Sequence, residues 1–404
     1  MKILPLLLLF ISATQLFSQN QKPDTVFCDC NVAAPVIVNG KSSTKKTIPP
    51  IGPGVIDEIS SSKQNTKYAF EKEHHSAWYK LIINASGKFT FDIIPLKCDD
   101  DYDFMLFKAG NTHFCDSLLK YKIKPVRACI SRDKEEIKGK TGLNRQSTEQ
   151  LIKEGVASAY GKLLEVKKGE VYYLVLDNVY EEGGGHRINF EISEIVNFNG
   201  TVTNEHNQPI ATQISLTNHR GDVVLLTKTD PQGAYTFTQT IVSEQNYALN
   251  FYNDSTFNYT KAFTLDDTLT LKSLKTLLPK LKKGSKYSVG SINFYGSSVE
   301  YLPRSLPAMN NLAKLLNKNP KLKIMIIGHS NGSDGMHEKG IISFTKGRAR
   351  SIRNYLAIQG INENRITIDG KGDKEMLFPL TNTPTPTEAQ QEENRRVEIL
   401  VTEY

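Results

Sequence analysis

A change of period part-way along the chain limits the fold more than any other feature of the sequence. From about Tyr68 to Leu274, strand formers alternate in short runs broken by turn residues; from about Pro279, apolar residues recur at helical spacing. The early runs are Ser76–Ile83 and Lys88–Ile94, parted by Asn84–Gly87, then Tyr102–Phe107, Lys162–Val166, Val171–Asp177 and His186–Ile192, with turns at Lys167–Gly169 and Gly183–Gly185. Short strands with Gly-rich turns stack as an antiparallel sandwich. A second β unit, from about Val196 to Leu274, includes Phe198–Thr203, Ile214–Leu216 and Thr227–Phe237, the last folded back at Asp230–Gly233.

Beyond Pro279, Ile292–Phe294, Lys323–Ile327, Arg365–Ile368 and Arg396–Val401 read as strands. Pro303–Asn319 reads as a helix with Leu306, Met309, Leu312, Leu315 and Leu316 on one face and Pro320 as its stop. Phe344–Gln359 reads as a second, with Ala349, Ile352, Tyr355 and Leu356 inward and Gly360 after it. The expected architecture is multidomain: two all-β sandwiches followed by an α+β domain. The divisions are a signal peptide at 1–19, a linker with a lead-in strand at 20–64, sandwiches at 65–195 and 196–278, and the α+β domain at 279–404.

The first residues bear on compartment. Met1–Lys2, the apolar Leu4–Ile11 and the small or polar Ser12–Gln19 have the order of a secretory signal peptide, cleaved near Ser18 or Gln19. No cysteine follows the run directly, which argues against a lipid anchor there, and no later stretch reaches the roughly 18 apolar residues of a membrane span. The net charge of +7 suits an anionic wall or membrane surface as well as ordinary solubility. No nucleic-acid partner is expected. All five cysteines (Cys28, Cys30, Cys98, Cys115, Cys129) lie in the first third, where an exported chain forms disulfides; an odd count leaves at least one thiol outside any internal bridge. Cys28-Asp29-Cys30 lacks the second ligand pair that a zinc site needs.

The chain has no Gly-x-Ser-x-Gly elbow, no His-Glu-x-x-His and no phosphate-cradling loop, so a non-enzymatic role is expected. In the run Asp99-Asp100-Asp101-Tyr102-Asp103, the residues Asp99, Asp101 and Asp103 are candidate calcium ligands, because that ion takes about six to eight oxygens. An acidic loop feeding a strand, without an ion, is the other reading. No other cofactor is expected. His74 and His75 read as paired surface histidines.

Five landmarks in the last third stand in a recognisable order. They are Gly328-His329-Ser330-Asn331 after a strand, Phe344–Ala349 opening a helix, Gly360-Ile361 ending it, Gly370-Lys371-Gly372, and Asn394-Arg395-Arg396-Val397-Glu398 beginning the last strand. In this, residues 279–404 resemble the OmpA-like peptidoglycan-binding domain, with its Gly-His-Thr-Asp turn, Leu-Ser-x-x-Arg-Ala helix start and terminal Asn-Arg-Arg-Val-Glu. The resemblance implies a ligand, the diaminopimelate centre of a stem peptide, which presents a carboxylate beside an ammonium. It implies that Arg348, where the helix opens, grips the carboxylate with two parallel bonds while free backbone N–H groups add donors. It also implies that the acid of the turn meets the ammonium. Here that position is Asn331, and two extra residues precede Arg348, which makes Asp334 the substitute acid. Arg395 and Arg396 should point to opposite faces; Arg395 joins the candidate set.

More loosely, residues 65–193 resemble the jelly-roll domains of secreted proteases and CUB-like adhesion modules, on Trp78-Tyr79-Lys80, Asp101–Phe104 and Lys167–Leu174. Residues 196–278 resemble the carboxypeptidase-regulatory, or transthyretin-like, sandwich on the hairpin Gly233–Phe237. The function these imply is that of an exported protein of the periplasm or outer-membrane-associated envelope. Its C-terminal module would bind peptidoglycan, while the N-terminal β domains hold another envelope protein or a glycan. The alternatives are an adhesion protein using the N-terminal sandwich, calcium-dependent, with a degenerate last module, and, third, a wall-remodelling enzyme.

Overall fold

In this computed structural model the described residues are 27–404 except 49, 60–69, 111–112, 122, 131–138, 154–157, 182, 267–270, 290, 333–334, 336 and 382–383. The expected signal peptide, at 1–19, lies outside them. The N-terminal strands are β1 (Ala34–Val38), β2 (Lys41–Ser43), β3 (Ser76–Ile83), β4 (Gly87–Pro95), β5 (Tyr102–Lys108), β6 (Arg127–Cys129), β7 (Thr141–Asn144), β8 (Leu151–Ile152), β9 (Tyr160–Lys162), β10 (Leu164–Val166) and β11 (Val171–Asn178), with helix α1 (Phe114–Tyr121) after β5. Then come β12 (His186–Thr203), β13 (Gln213–Thr217), β14 (Val223–Lys228), β15 (Ala234–Val242), β16 (Tyr247–Tyr252), β17 (Tyr259–Phe263) and β18 (Lys272–Leu277). The C-terminal elements are β19 (Lys286–Ser288), α2 (Leu306–Lys318), β20 (Lys323–His329), α3 (Glu338–Ile358), β21 (Ile366–Gly372), α4 (Glu388–Asn394) and β22 (Val397–Glu403). The chain is rich in β structure, with several sheets and few helices.

A six-stranded sheet in the order β1-β3-β11-β5-β6-β8 lies against an eight-stranded one whose main path is β15-β12-β4-β7-β9. One apolar cluster draws on both, with Leu81, Phe104, Leu174 and Leu176 from the first and Phe89, Phe91, Ile188 and Phe190 from the second. The alternation expected of a half-buried strand holds in β4, but β5 and β11 are buried at consecutive positions. Their sheet is covered twice. On its far side Trp78, Met105, Phe107, Tyr173 and Val175 pack against Phe114 and Leu118 of α1 and against Cys30 and Phe70. The sequence reading missed α1, a helix of only 8 residues. A disulfide joins Cys30 to Cys115 in that helix across 85 residues; Cys28, Cys98 and Cys129 stand outside it. The segment read as a linker also contributes β1, parallel to β3, and β2, paired with β12.

Strand β12 runs for 18 residues, pairing with β4 over its first half and with β15 over its second. The expected division at 195/196 therefore falls inside one strand. Beyond it, Phe198, Tyr235 and Ile241 pack against Ile214, Leu249 and Phe251 of a four-stranded sheet ordered β14-β13-β16-β17. The C-terminal sheet is ordered β19-β22-β20-β21, with β20 and β21 parallel. It buries Ile324, Ile326 and Ile399 under Leu312, Leu315 and Leu316 of α2 and Ala349, Ile352 and Leu356 of α3. Asn311 of α2 clasps the preceding sheet: its Nδ2 donates to Tyr259 O at 3.2 Å and Thr260 Oγ1 at 3.1 Å, and its Oδ1 accepts from Asn258 Nδ2 at 3.1 Å.

His74 and His75 are half-buried rather than at the surface, and both are structural. Asp177 Oδ1 accepts both backbone N–H groups at 2.8 Å, Oδ2 meets His74 Nδ1 at 2.7 Å, and His75 Nδ1 accepts from Gly52 N at 2.9 Å. Spacing carries no trace of this contact, because Asp177 lies over 100 residues away.

Two buried carboxylates brace the disulfide region. Glu58 Oε1 accepts from Cys30 N, and Glu73 Oε1 accepts from the N–H groups of Glu58 and Ile59. Burial, with Asp29 adding repulsion, pushes the Glu58 carboxyl up to about 7. Burial together with the Glu58 charge pushes Glu73 up to about 8. Carboxyls raised in the fold hold more protons than in the unfolded chain, so their stabilisation is complete below about pH 4.5 and is lost as pH rises through 7 to 8. The melting temperature is expected to fall between pH 5 and pH 8, and Glu73→Gln, which keeps the acceptor, should flatten that slope in pH-dependent calorimetry. Separately, Cys115→Ala should cost about 2–4 kcal/mol in denaturant melts under oxidising conditions and nothing under reducing ones, given the long loop it closes.

Candidate functional site around the turn after β20

The turn and the helix beside it are positioned by close backbone packing. A Cβ on Gly328 would lie 2.2 Å from Thr345 O, and one on Gly370 would lie 2.3 Å from Ile342 O. Only glycine lets α3 lie this near β20 and β21. Thr345 Oγ1 completes the seam, accepting from Gly372 N at 3.1 Å and donating to Ile341 O at 3.0 Å. Helix α3 begins at Glu338, not at Phe344. Gly340 lies within its first turn, and Ile341, fully buried, extends the apolar stripe upstream.

Arg348 thus lies in the helix interior, where backbone N–H groups are spent in the helix, and the expected extra donors are absent from it. Its side chain is 7% exposed. The guanidinium stacks on Phe294 at 4.9 Å and Phe344 at 4.5 Å, while Nε donates to Ser298 O at 3.0 Å and Nη2 to Tyr295 O at 3.4 Å. Asn331 Nδ2 donates to Gln391 Oε1 at 3.1 Å, and its Oδ1 accepts from Asn394 Nδ2 at 2.7 Å. Asn394, wholly buried, also bonds both N and O of Phe378, suturing the long 373–387 loop to the turn. Asn394, read in the sequence only as the start of the last landmark, and Gln391, which was not singled out, both hold the turn. The signal was the capping box Thr387-Glu388-Ala389-Gln390, which starts α4 in a stretch where no element was expected. Arg395 is exposed and pairs with Glu388 at 3.6 Å, whereas Arg396 turns inward. Asp334 lies outside the described residues.

Residues 294–395, which hold all of this apart from Arg396 and the last strand, match the OmpA family. The chain carries a C-terminal OmpA domain. Similar solved structures include the periplasmic domain of Helicobacter pylori MotB (19% identity over 31% of this chain and 76% of that one, TM-score 0.27). An outer membrane protein from Borrelia burgdorferi B31 is 30% identical over 30% of this chain and 92% of its own, with TM-score 0.23. The cell wall anchor of the T6SS from Pseudomonas aeruginosa is 20% identical over 31% and 85%, with TM-score 0.26. No curated protein matches the chain. Among the described residues no helix is long and apolar enough to cross a membrane.

In the C-terminal unit a charged cluster surrounds Glu398. Its carboxylate meets His329 Nε2 at 3.1 Å, Lys286 Nζ at 2.6 Å and Arg396 Nε at 2.8 Å, and Lys286 also reaches Glu375 at 3.1 Å. Burial pushes the Glu398 carboxyl up, but the bonds from His329, Lys286 and Arg396 outweigh it and hold the group far below the usual carboxylate range. His329, Glu375 and Glu398 are close enough to share an ion. The Lys286 ammonium, however, already bridges the two carboxylates. The acidic run of the first unit makes no such group: among the described residues the oxygens of Asp99, Asp101 and Asp103 do not gather within 4.8 Å of one another. Asp100, inside that run, is buried and accepts from Gly184 N at 2.7 Å.

A carboxylate depressed in the fold stabilises fully above about pH 4.5 and loses that contribution as pH falls. Glu398→Gln should cost about 2 kcal/mol at pH 7, by stranding Arg396, and should remove part of the acid instability in urea melts at pH 3.

Proposed function

We propose that this is a non-enzymatic envelope protein that docks on peptidoglycan stem peptides through its OmpA domain, with the upstream β units holding a partner clear of the wall. The observation that carries the reading is the OmpA match over 294–395; Arg348, which the sequence resemblance sets at the family's arginine, lies on a helix pressed against β20 and β21. The guanidinium lies 4.9 Å from the ring centre of Phe294 and 4.5 Å from that of Phe344. The carbonyls of Ser298 and Tyr295 already accept from it, so a stem-peptide carboxylate exchanges an ion–dipole contact for an ion pair with the planar fork. The Asn331 carbonyl faces the ligand ammonium without a charge, and Arg395 lies at the rim. The two upstream units are read as successive β-sandwiches sharing β12, at about 65–195 and 196–278, and the location as periplasmic or outer-membrane-associated, after export on the 1–19 signal.

Sedimentation with purified sacculi tests this. Wild type is expected to pellet with them; Arg348→Lys, which keeps the charge but loses the planar fork, should weaken binding about tenfold or more, with melting checked alongside. Asn331→Asp should tighten binding on the order of tenfold, because a charge-assisted bond replaces a neutral one, and should cost about 1 kcal/mol of stability by setting a carboxylate oxygen against Gln391 Oε1. Asp334→Asn reports whether that residue supplies the acid instead. A folded wild-type chain that stays in the supernatant sinks the proposal.

A further inference from the structure

The outer face of the eight-stranded sheet carries a groove of about 590 Å³ far from the OmpA domain's turn. Its floor is a row that crosses five strands. Ser43 of β2 stands opposite Asn189 of β12, Asn189 opposite Asp92 of β4, Asp92 opposite Gly142 of β7, and Gly142 opposite Tyr160 of β9. Gly142 leaves a gap in the row, and Tyr160 reaches across it to donate its hydroxyl to Asp92 Oδ1 at 2.9 Å. One wall is a closed chain of polar contacts. Arg145 Nη2 donates to Ser193 Oγ at 2.7 Å, Ser193 Oγ donates to Glu191 Oε1 at 2.7 Å, and Lys41 pairs with Glu191 Oε2 at 3.4 Å. Asn144 Oδ1 accepts from Gln146 N and Ser147 N, holding up the turn that presents Arg145 and Gln146.

This arrangement selects a ligand class. Two cations and two carboxylates balance, and both cations are engaged in the wall, so the groove has no net attraction for an ion. Its apolar residues Phe91, Leu143 and Phe190 are core side chains, 1–2% exposed, so there is no pocket for an apolar anchor of a peptide. The amide of Asn189, the hydroxyl of Thr90 and Asp92 Oδ2 are half-exposed and, among the described residues, bond nothing within the chain. Groups on adjacent strands are spaced about 4.8 Å apart, so the row offers hydrogen-bonding groups at regular intervals to a ligand lying across the strands. The volume is in the range of small-ligand sites, roughly 300–1,000 Å³. We propose that this groove binds a neutral oligosaccharide of two or three units, with Asn189, Thr90 and Asp92 bonding its hydroxyls and Tyr160 bounding one end. The inference is independent of stem-peptide binding by the OmpA domain.

Saturation-transfer NMR and calorimetry on the full chain with chitotriose, cellotriose and maltotriose test it. At least one trisaccharide is expected to bind, with Asn189→Leu, on the half-exposed face, weakening it tenfold or more at unchanged melting temperature. Arg348→Lys should leave that affinity as it is while reducing pelleting with sacculi, which separates the two sites. Binding of none of the three, or equal binding by Asn189→Leu, overturns the proposal. If Asn189→Leu lowers the melting temperature, Thr90→Val gives the same comparison at the neighbouring floor position.

Discussion

The C-terminal unit depends on one steric requirement: a helix backbone must touch a strand backbone. At Gly328 and Gly370 there is no room for even a methyl group between α3 and the parallel pair β20–β21. That contact puts Thr345 within reach of Gly372 N, seats Ala349 and Ile352 in the core, and fixes the turn at Asn331 relative to Arg348. Residues that look like a binding signature in the sequence are thus in good part a packing signature. Glycine at 328 and 370 serves the seam, and Arg348 itself is stacked and bonded to the 294–301 turn before any ligand arrives.

This explains what was readable from the chain. Helical periodicity and the stops at Pro320 and Gly360 located α2 and the end of α3, because these are local signals. The start of α3 was hidden by Gly340, since propensity is local whereas the burial of Ile341 that outweighs it is tertiary. In the first unit, β5 and β11 carry apolar residues at consecutive positions because a helix and a disulfide-linked segment cover the second face. Alternation cannot reveal that cover. The paired carboxylates Glu58 and Glu73, the clasp of Asp177 on His74 and His75, and the Asn331–Asn394 bond are contacts between distant positions, with no trace in spacing.

The candidate site was legible as a set of landmarks but not as a geometry. Arg348 was placed at a helix mouth, where free N–H groups would assist it; its place in the helix interior makes the guanidinium rely on carbonyls and aromatic faces instead. Asn331 looked like a weakened acid. In the fold it is half of an amide pair that holds the 373–387 loop, a role that aspartate could not fill on both sides.

The continuity of β12 has a mechanical corollary. Its first half belongs to the sheet that carries the polar groove, and its second half to the core against which the Asn311-clasped sheet is packed. Successive modules are commonly strung on flexible spacers, which let each end sample its own orientations. Here the spine is shared, so the groove face and the core beneath the Asn311-clasped sheet are joined by one hydrogen-bonded ribbon with no spacer between them.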